Sequence, residues 1–373
     1  MNILLMGDAS NYHASLAVGL RRLGHNVTVA SAGSGWMKTA RDIDISRRGP
    51  GKVSGALLYA RLSTLLRSRI SGYDVVQIAG PMFLQLKPSR NRTVFDRLRR
   101  SNGSVMLTSL AADTGYVSMS LAEDCPLRYT EWKINGQDGP YRKARPDVEE
   151  IWMSQELKDT CSYVYDNVDG AVSALYEYQL VCLRNMPAEK VAYGGIAIDT
   201  DSIQYRAMDL REDSPVNIFL GRHADRLAEK GTDILERIAR DVVDCSNGRC
   251  TLSIVENLPY TEYLKTLRSA HITLDQLYSY TPSTNALLPM AMGIPAVSGA
   301  EPEFYQFIGE EDLRPVINAD PLDYEATVRE ISRLASDSAE LLRIGHESRL
   351  FVEKHNSCEV VAQRFIDFWE SRL

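Results

Sequence analysis

Long apolar stretches are missing from these 373 residues. Nowhere do about 18 uninterrupted hydrophobic residues occur, which excludes a membrane-spanning helix. Paired cysteines are missing too. The six present (Cys125, Cys161, Cys182, Cys245, Cys250 and Cys358) form no Cys-x-x-Cys. Cys245 and Cys250 flank the turn Ser-Asn-Gly-Arg, a spacing that fits no usual zinc knuckle. All six read as small buried hydrophobes in a reducing compartment. No repeat or low-complexity tract stands out, which argues against a solenoid or a disordered chain. The glycine fingerprint of a dinucleotide site is absent. The opening Met-Asn-Ile-Leu-Leu-Met-Gly-Asp carries no basic segment ahead of its apolar one, so it reads as a buried strand rather than a secretory signal.

What is present is ordinary in amount and uneven in place. Apolar residues make up 44% and charged residues 24%, the composition of a soluble globular protein. The length predicts two domains. Net charge is −7, yet residues 1–100 hold 16 Lys/Arg against 5 Asp/Glu, while residues 201–373 hold 18 against 29. Such asymmetry points to an anionic partner or surface for the first half. The whole chain is not basic, so no nucleic-acid partner is expected.

The hydrophobic pattern alternates. Residues 2–7 form an apolar run ending at Gly7. A helical pattern with Leu16, Leu20 and Leu23 then closes at Gly24, and Asn26–Ser31 is β-branched. Strand, helix and strand within about 30 residues is a βαβ unit, which implies a parallel sheet. Further strands are expected at Tyr73–Ile78, Val105–Leu110 and Asp169–Ser173, with a helix at Thr93–Arg100. Residues 114–150, rich in aromatic, Pro, Gly and charged residues, read as an irregular excursion. A second alternating unit opens at Val216–Gly221. It continues through helix Thr232–Val243, strand Thr251–Val255, helix Tyr260–Ala270, strand His271–Leu274, helix Asn285–Met292 and strand Ala296–Ser298. The fold class is therefore α/β, with two Rossmann-like open parallel sheets in tandem. We expect an N-terminal domain over 1–198, a polar linker over 199–214, a C-terminal domain over 215–355, and a last helix over 356–373 returning toward the first domain.

Open α/β sheets bind ligands beyond the carboxyl ends of their strands. After the first strand comes Gly7-Asp8-Ala9-Ser10-Asn11-Tyr12-His13, a helix-entry loop whose Asn11, Tyr12 and His13 are candidates to line a cleft. After Val216–Leu220 come Arg222 and Lys230, two cations able to clamp a diphosphate, one as a planar fork and one as a point charge. The turn Ser283-Thr284-Asn285 opens an apolar helix whose free N–H groups and dipole favour phosphate. Asp113, just past the strand 105–110, is the candidate catalytic carboxylate. Asp199-Thr200-Asp201 has the spacing of a metal-binding Asp-x-Asp but sits at a domain junction, and no metal is expected. A basic amphipathic stretch, Val53–Ile70, carries Leu57, Leu58, Leu62, Leu65 and Leu66 among Arg61, Arg67 and Arg69, with Arg90, Arg92, Arg97, Arg99 and Arg100 after it. It suits an anionic membrane surface.

The run Gly221-Arg222…Glu229-Lys230-Gly231-Thr232-Asp233 and the run Met290-Ala291-Met292-Gly293-Ile294-Pro295-Ala296-Val297 resemble glycosyltransferase family 4, the retaining GT-B enzymes. Looser matches are Leu23–Val29, Tyr193–Asp201 and Phe351–His355. The resemblance covers most of the chain and is weakest over 31–190. It implies two Rossmann-like domains facing across a cleft with C-terminal helices crossing between them. It also implies a nucleoside diphosphate sugar as co-substrate, with no cofactor. Transfer would go to a hydroxyl of a glycan or lipid-linked glycan, with retention and without metal, in polysaccharide biosynthesis. Donor phosphates would fall to Arg222 and Lys230, and the acceptor to Asn11, Tyr12 and His13. The expected location is cytoplasmic, with peripheral contact at the inner membrane face. The family's two glutamates, eight positions apart, are replaced by Tyr280 and Leu288. Asp275, Gln276, Glu301 and Glu303 are the nearby residues able to substitute. That departure keeps open a catalytically silent sugar-nucleotide-binding homologue, and a UDP-sugar epimerase, which would share the fold and the phosphate clamp, is the other alternative.

Overall fold

The computed structural model describes residues 1–372 except 34–36, 38, 207, 209 and 211–214. The chain is mixed α/β with two parallel sheets. Seven strands form the first: β1 Asn2–Met6, β2 Asn26–Ser31, β3 Ile43–Asp44, β4 Val75–Ala79, β5 Ser104–Ser109, β6 Gly170–Ser173 and β7 Val191–Tyr193. Their order is β3-β2-β1-β4-β5-β6-β7. Connections run outward in opposite directions from β1 and β4, so the switch point lies between those two strands. The second sheet holds β8 Val216–Arg222, β9 Cys250–Glu256, β10 Ile272–Leu274, β11 Ala296–Ser298 and β12 Ile317–Asn318, in the order β9-β8-β10-β11-β12.

Two compact units result. The first comprises Met1–Cys125, Pro146–Ala197 and Cys358–Leu373, and the second comprises Pro126–Arg145 and Ile198–Ser357. Within 199–214, expected as linker, positions 207, 209 and 211–214 lie outside the described residues.

In the first unit β1, β4 and β5 are buried on both faces, as parallel strands covered by helices must be. The Cys358–Glu370 helix packs on the Tyr12–Arg22 helix. Gly19 permits this approach, since a Cβ there would meet the Cys358 carbonyl oxygen at 2.0 Å. Trp369 is fully buried, and its indole N–H donates to Gln77 Oε1 at 2.9 Å. Gln77 Nε2 donates to Thr108 Oγ1 at 2.9 Å, so a buried polar chain links the last helix to the centre of the sheet.

In the second unit β8 alternates. Ile218 and Leu220 face one core with Leu235, Ile238 and Leu341, while Phe219 faces another with Leu267 and Ile294. The Arg349 guanidinium donates to the carbonyls of Thr200 at 3.0 Å, Ile203 at 2.9 Å and Ala291 at 2.7 Å, which pins the end of the Thr284–Ala291 helix. Residues 114–150 are more ordered than their composition suggested. They hold the Thr114–Leu121 helix, a Lys133–Ile134/Gln137–Asp138 hairpin, and the Pro140–Ala144 and Pro146–Trp152 helices. Polar and aromatic residues there find long-range partners rather than solvent. Tyr129 and Trp132 are buried, and residues 126–145 belong to the second unit.

Candidate functional site

In the second unit, polar groups gather beyond the carboxyl ends of β10 and β11. Asp275, directly after β10, accepts hydrogen bonds on Oδ2 from Ser283 Oγ and Ser298 Oγ, both at 3.0 Å. Its Oδ1 is buried and has no hydrogen-bond partner among the described residues. Lys230 Nζ lies 3.9 Å from that oxygen. Burial pushes the Lys230 ammonium pKa down and the Asp275 charge opposes the shift. Ser283 spends its hydroxyl on Asp275, so no side chain caps the Thr284–Ala291 helix that it opens. Thr284 and Asn285 sit half-buried in the first turn of that helix. The structure thus brings Lys230, Ser283 and Ser298 around one carboxylate, while Thr284 and Asn285 follow Ser283 in the first turn of the helix with no contact shown to that carboxylate. It offers a half-buried cation and an uncapped helix start, the two ingredients of an anion site.

Arg222 is placed differently. It ends β8 and pairs in register with Glu256 on β9. Its Nε donates to Glu256 at 2.8 Å, and its Nη1 pairs with Glu236. Glu236 also accepts from Arg240 at 2.6 Å. The Arg240 contact first, and Arg222 after it, hold the Glu236 carboxyl below its usual range. A phosphate reaching Arg222 has two carboxylates to displace.

Of the two positions where the family's glutamates are replaced, Tyr280 is buried, accepts the Arg128 backbone N–H at 2.7 Å and lies 4.8 Å ring to ring from Tyr129. Leu288 packs with the Phe219 cluster. Glu301 is 2% exposed and is engaged internally by Tyr129 (2.6 Å), Asn318 (2.8 Å) and Arg128. It fastens the 126–145 segment to its unit. Of Asp275, Glu301 and Glu303, it is Asp275 that stands beside the Lys230 ammonium, at 3.9 Å.

The first unit presents a different strand end. Asn11 sits in a left-handed turn (φ 66°) and donates to Ser15 Oγ at 3.0 Å. Tyr12 is buried, its hydroxyl donating to the Gly195 carbonyl at 2.6 Å. His13 is fully buried between the Gly7 carbonyl (2.7 Å) and Thr108 Oγ1 (3.2 Å). Burial draws its pKa down to about 4, so the ring is neutral near pH 7. Both rings therefore point into the protein. Asp113 caps the Thr114–Leu121 helix, with Oδ1 accepting the Tyr116 N–H at 2.9 Å and Oδ2 accepting the Tyr165 hydroxyl at 2.6 Å. Burial raises its pKa against the pull of the Tyr165 bond.

Sequence reasoning passed over Asp8. Its Oδ1 accepts the His13 N–H at 3.0 Å, and its Oδ2 is buried with no partner among the described residues. Burial lifts its carboxyl to about 6 in spite of backbone N–H groups that favour the charge. The available signal was an acid placed directly after an apolar strand and its terminal glycine. Asp8 and Asp113 both line a cavity of about 390 Å³.

The Lys52–Leu65 helix buries Leu58 and Leu62 but exposes Val53 (74%) and Leu57 (66%). Several neighbouring cations are already engaged. Arg97 donates to Ser63 at 2.9 Å, and Arg92 lies 3.5 Å over the Tyr163 ring. Among the described residues no helix is long and apolar enough to cross a membrane.

No protein-family model matches the chain, and no curated protein sequence matches it. Solved structures do. Sucrose-phosphate synthase from Thermosynechococcus elongatus is similar at a TM-score of 0.62 and 15% identity, over 100% of this chain and 98% of its own. Anabaena HepE in complex with UDP-glucose is similar at 0.62 and 11%, over 99% of each chain. A putative UDP-N-acetylglucosamine 2-epimerase from Listeria monocytogenes gives 0.53 and 12%, over 99% and 95%. Two parallel α/β sheets in one chain, matched end to end by these structures, make the fold GT-B.

Proposed function

We propose that the chain is a glycosyltransferase that moves a sugar from a nucleoside diphosphate sugar to a hydroxyl of a glycan or lipid-linked glycan, with retention and without a metal. The observation that carries this reading is the half-buried Lys230 ammonium beside Asp275 and the uncapped start of the Thr284–Ala291 helix. When the glycosidic bond breaks, charge develops on the departing diphosphate. A cation and helix N–H groups already in place stabilise that charge with little reorganisation. Ser283, Thr284 and Asn285 supply the helix start, and Arg222 joins when phosphate replaces Glu236 or Glu256. HepE, with its bound UDP-glucose, supports the choice of donor. In this reading the first unit holds the acceptor, with Asp113 in the wall of its pocket. The exposed Val53 and Leu57 among basic residues would rest against anionic lipid.

Calorimetric titration of the full chain with UDP, GDP, ADP and their sugars tests the donor. One nucleotide should bind, and Lys230→Met should weaken it. Absence of binding by all three nucleotides rejects the assignment. The Listeria neighbour favours an epimerase as the second reading. Incubation of the sugar nucleotide without acceptor, followed by NMR, separates the two, since an epimerase yields an epimer or free sugar and a transferase leaves the donor largely intact. For the membrane contact, co-sedimentation with anionic vesicles should fall as salt rises, and Leu57→Ser should reduce it.

A further inference from the structure

The Lys230 ammonium is carried by a turn that has little of its own to hold it. Leu227–Lys230 is a single helical turn of four residues, none of them buried. A helix that short does not sustain itself, because fixing its first turn costs more than one hydrogen bond returns. Ahead of it His223–Arg226 is exposed, and the Arg226–Glu229 ion pair is open enough to water to be worth little. At its far end the Lys230 carbonyl accepts the Leu277 N–H at 2.8 Å. Gly231 (φ 66°) stops the turn there, since a Cβ would meet Leu277 at 2.7 Å.

A second support comes from the first half of the chain. The Pro140–Ala144 helix packs on Leu227–Lys230. It too is one short turn without a buried residue, so it also needs an anchor. Tyr141 stands edge-on to Trp132, with ring centroids 5.0 Å apart at 72°, and Trp132 is 1% exposed. Burial first, and the Glu229 charge after it, raise the Tyr141 hydroxyl pKa, which places that ring within reach of the Lys230 turn. Ile134 packs on the core cluster that holds Leu277 and Tyr278. Upstream, Arg128 and Tyr129 are locked to Tyr280 and Glu301. Residues 126–145 therefore touch the loops that follow β8, β10 and β11, the edge where ligands of open sheets bind. A fixed point at Glu301 is joined, through Trp132 and Tyr141, to the turn that bears the cation.

We propose that residues 126–145 brace the donor cation, with Trp132 and Tyr141 as positioning residues that keep the Leu227–Lys230 turn, and so the Lys230 ammonium, beside Asp275 and the start of the Thr284–Ala291 helix. The proposal rests on the donor reading of Lys230. Neither ring touches the ligand in it. Two turns too short to stand alone support each other, so the cation is ordered during folding rather than at the moment of binding.

Hydrogen exchange read by mass spectrometry, together with calorimetric titration of the full chain by UDP, GDP and ADP, tests this. In Tyr141→Ala the amides of 227–231 should exchange about tenfold faster, with circular dichroism unchanged. The nucleotide that binds the native chain should bind this variant about fivefold more weakly, and the same change made in Lys230→Met should cost almost nothing further. A residue that only stabilises the unit would weaken both backgrounds alike. Tyr141→Phe keeps the ring and should restore native exchange and affinity. Tyr129→Phe loosens the anchor instead, and exchange should quicken over 140–144 and 227–231 together. Unchanged exchange over 227–231 in Tyr141→Ala, an equal loss of affinity in both backgrounds, or a rise confined to 140–144 in Tyr129→Phe overturns the proposal. If a nucleotide binds and these variants leave exchange and affinity unmoved, this inference fails alone. If no nucleotide binds but exchange over 227–231 responds, the brace on Lys230 stands and the donor reading falls.

Discussion

The strand ends of the two units carry charge opposite to that of the sequence around them. Residues 1–100 are strongly basic, yet among the described residues lining the cavity at β1 and β4 the charged side chains are Asp8 and Asp113. Residues 201–373 are strongly acidic, yet the cluster at β10 and β11 sets a half-buried lysine beside its one carboxylate, Asp275. Net charge governs solubility and long-range attraction. Ligand choice is set within a few ångströms, by which groups the strand ends leave buried and unmatched. The basic excess of the first unit lies instead on its helices, where Arg90 and Arg97 sit over Tyr59 and Arg92 over Tyr163.

The contrast breaks most readily at Lys230. Lys230→Met keeps the aliphatic stem and removes the charge, and should weaken UDP binding by about 1.5–3 kcal/mol, the range for charged hydrogen bonds. Titration calorimetry reads it, and unchanged affinity would remove the cationic half of the comparison.

The acidic half is tested through stability. With Asp8 raised from 3.8 to about 6, the native state binds a proton that the unfolded chain has already released. Native stability therefore falls as pH rises from about 4 to 6 and stays reduced above. At 1.36 kcal/mol per unit the ceiling is about 3 kcal/mol, and partial exposure leaves about 1–2. Asp8→Asn should gain that amount in urea denaturation at pH 7.5 and nothing at pH 3.5. An equal gain at both values would show that the carboxylate charge is not its source.

Arg222→Ala should matter less than Lys230→Met, by about 1 kcal/mol or less, because the guanidinium must first give up Glu236 and Glu256. Glu256→Gln should accordingly tighten UDP binding slightly. If Arg222→Ala proves the more damaging, the order of the two cations is reversed. Smallest of all, raising NaCl from 50 to 300 mM should weaken UDP binding a few-fold.

Much of the fold was legible because hydrophobic periodicity is local. The runs 26–31 and 296–298 are strands over those same residues, and the expected helices at 232–243 and 285–292 lie within about two residues of their observed ends. The excursion at 114–150 was illegible for the opposite reason. Arg128 and Tyr129 are fixed by Tyr280 and Glu301, contacts spanning more than 150 residues that no window registers. The site was legible to the level of the loop and no further. Position after a strand singled out residues 7–13, but which side chains turn inward is decided by three-dimensional partners. Tyr12 found Gly195 and His13 found Thr108, while Asp8 was left with an open oxygen. The Asp275 bridge between Ser283 and Ser298 was hidden in the same way, since it joins the ends of two strands separated by a helix.

Trp369, seated against Gln77 in the first sheet, has a consequence for synthesis. The amino-terminal unit leaves the ribosome first but lacks a wall until residues 358–373 emerge, so it must wait, incomplete, while the other unit is made. Cutting back those final residues should damage the part of the protein farthest away in sequence.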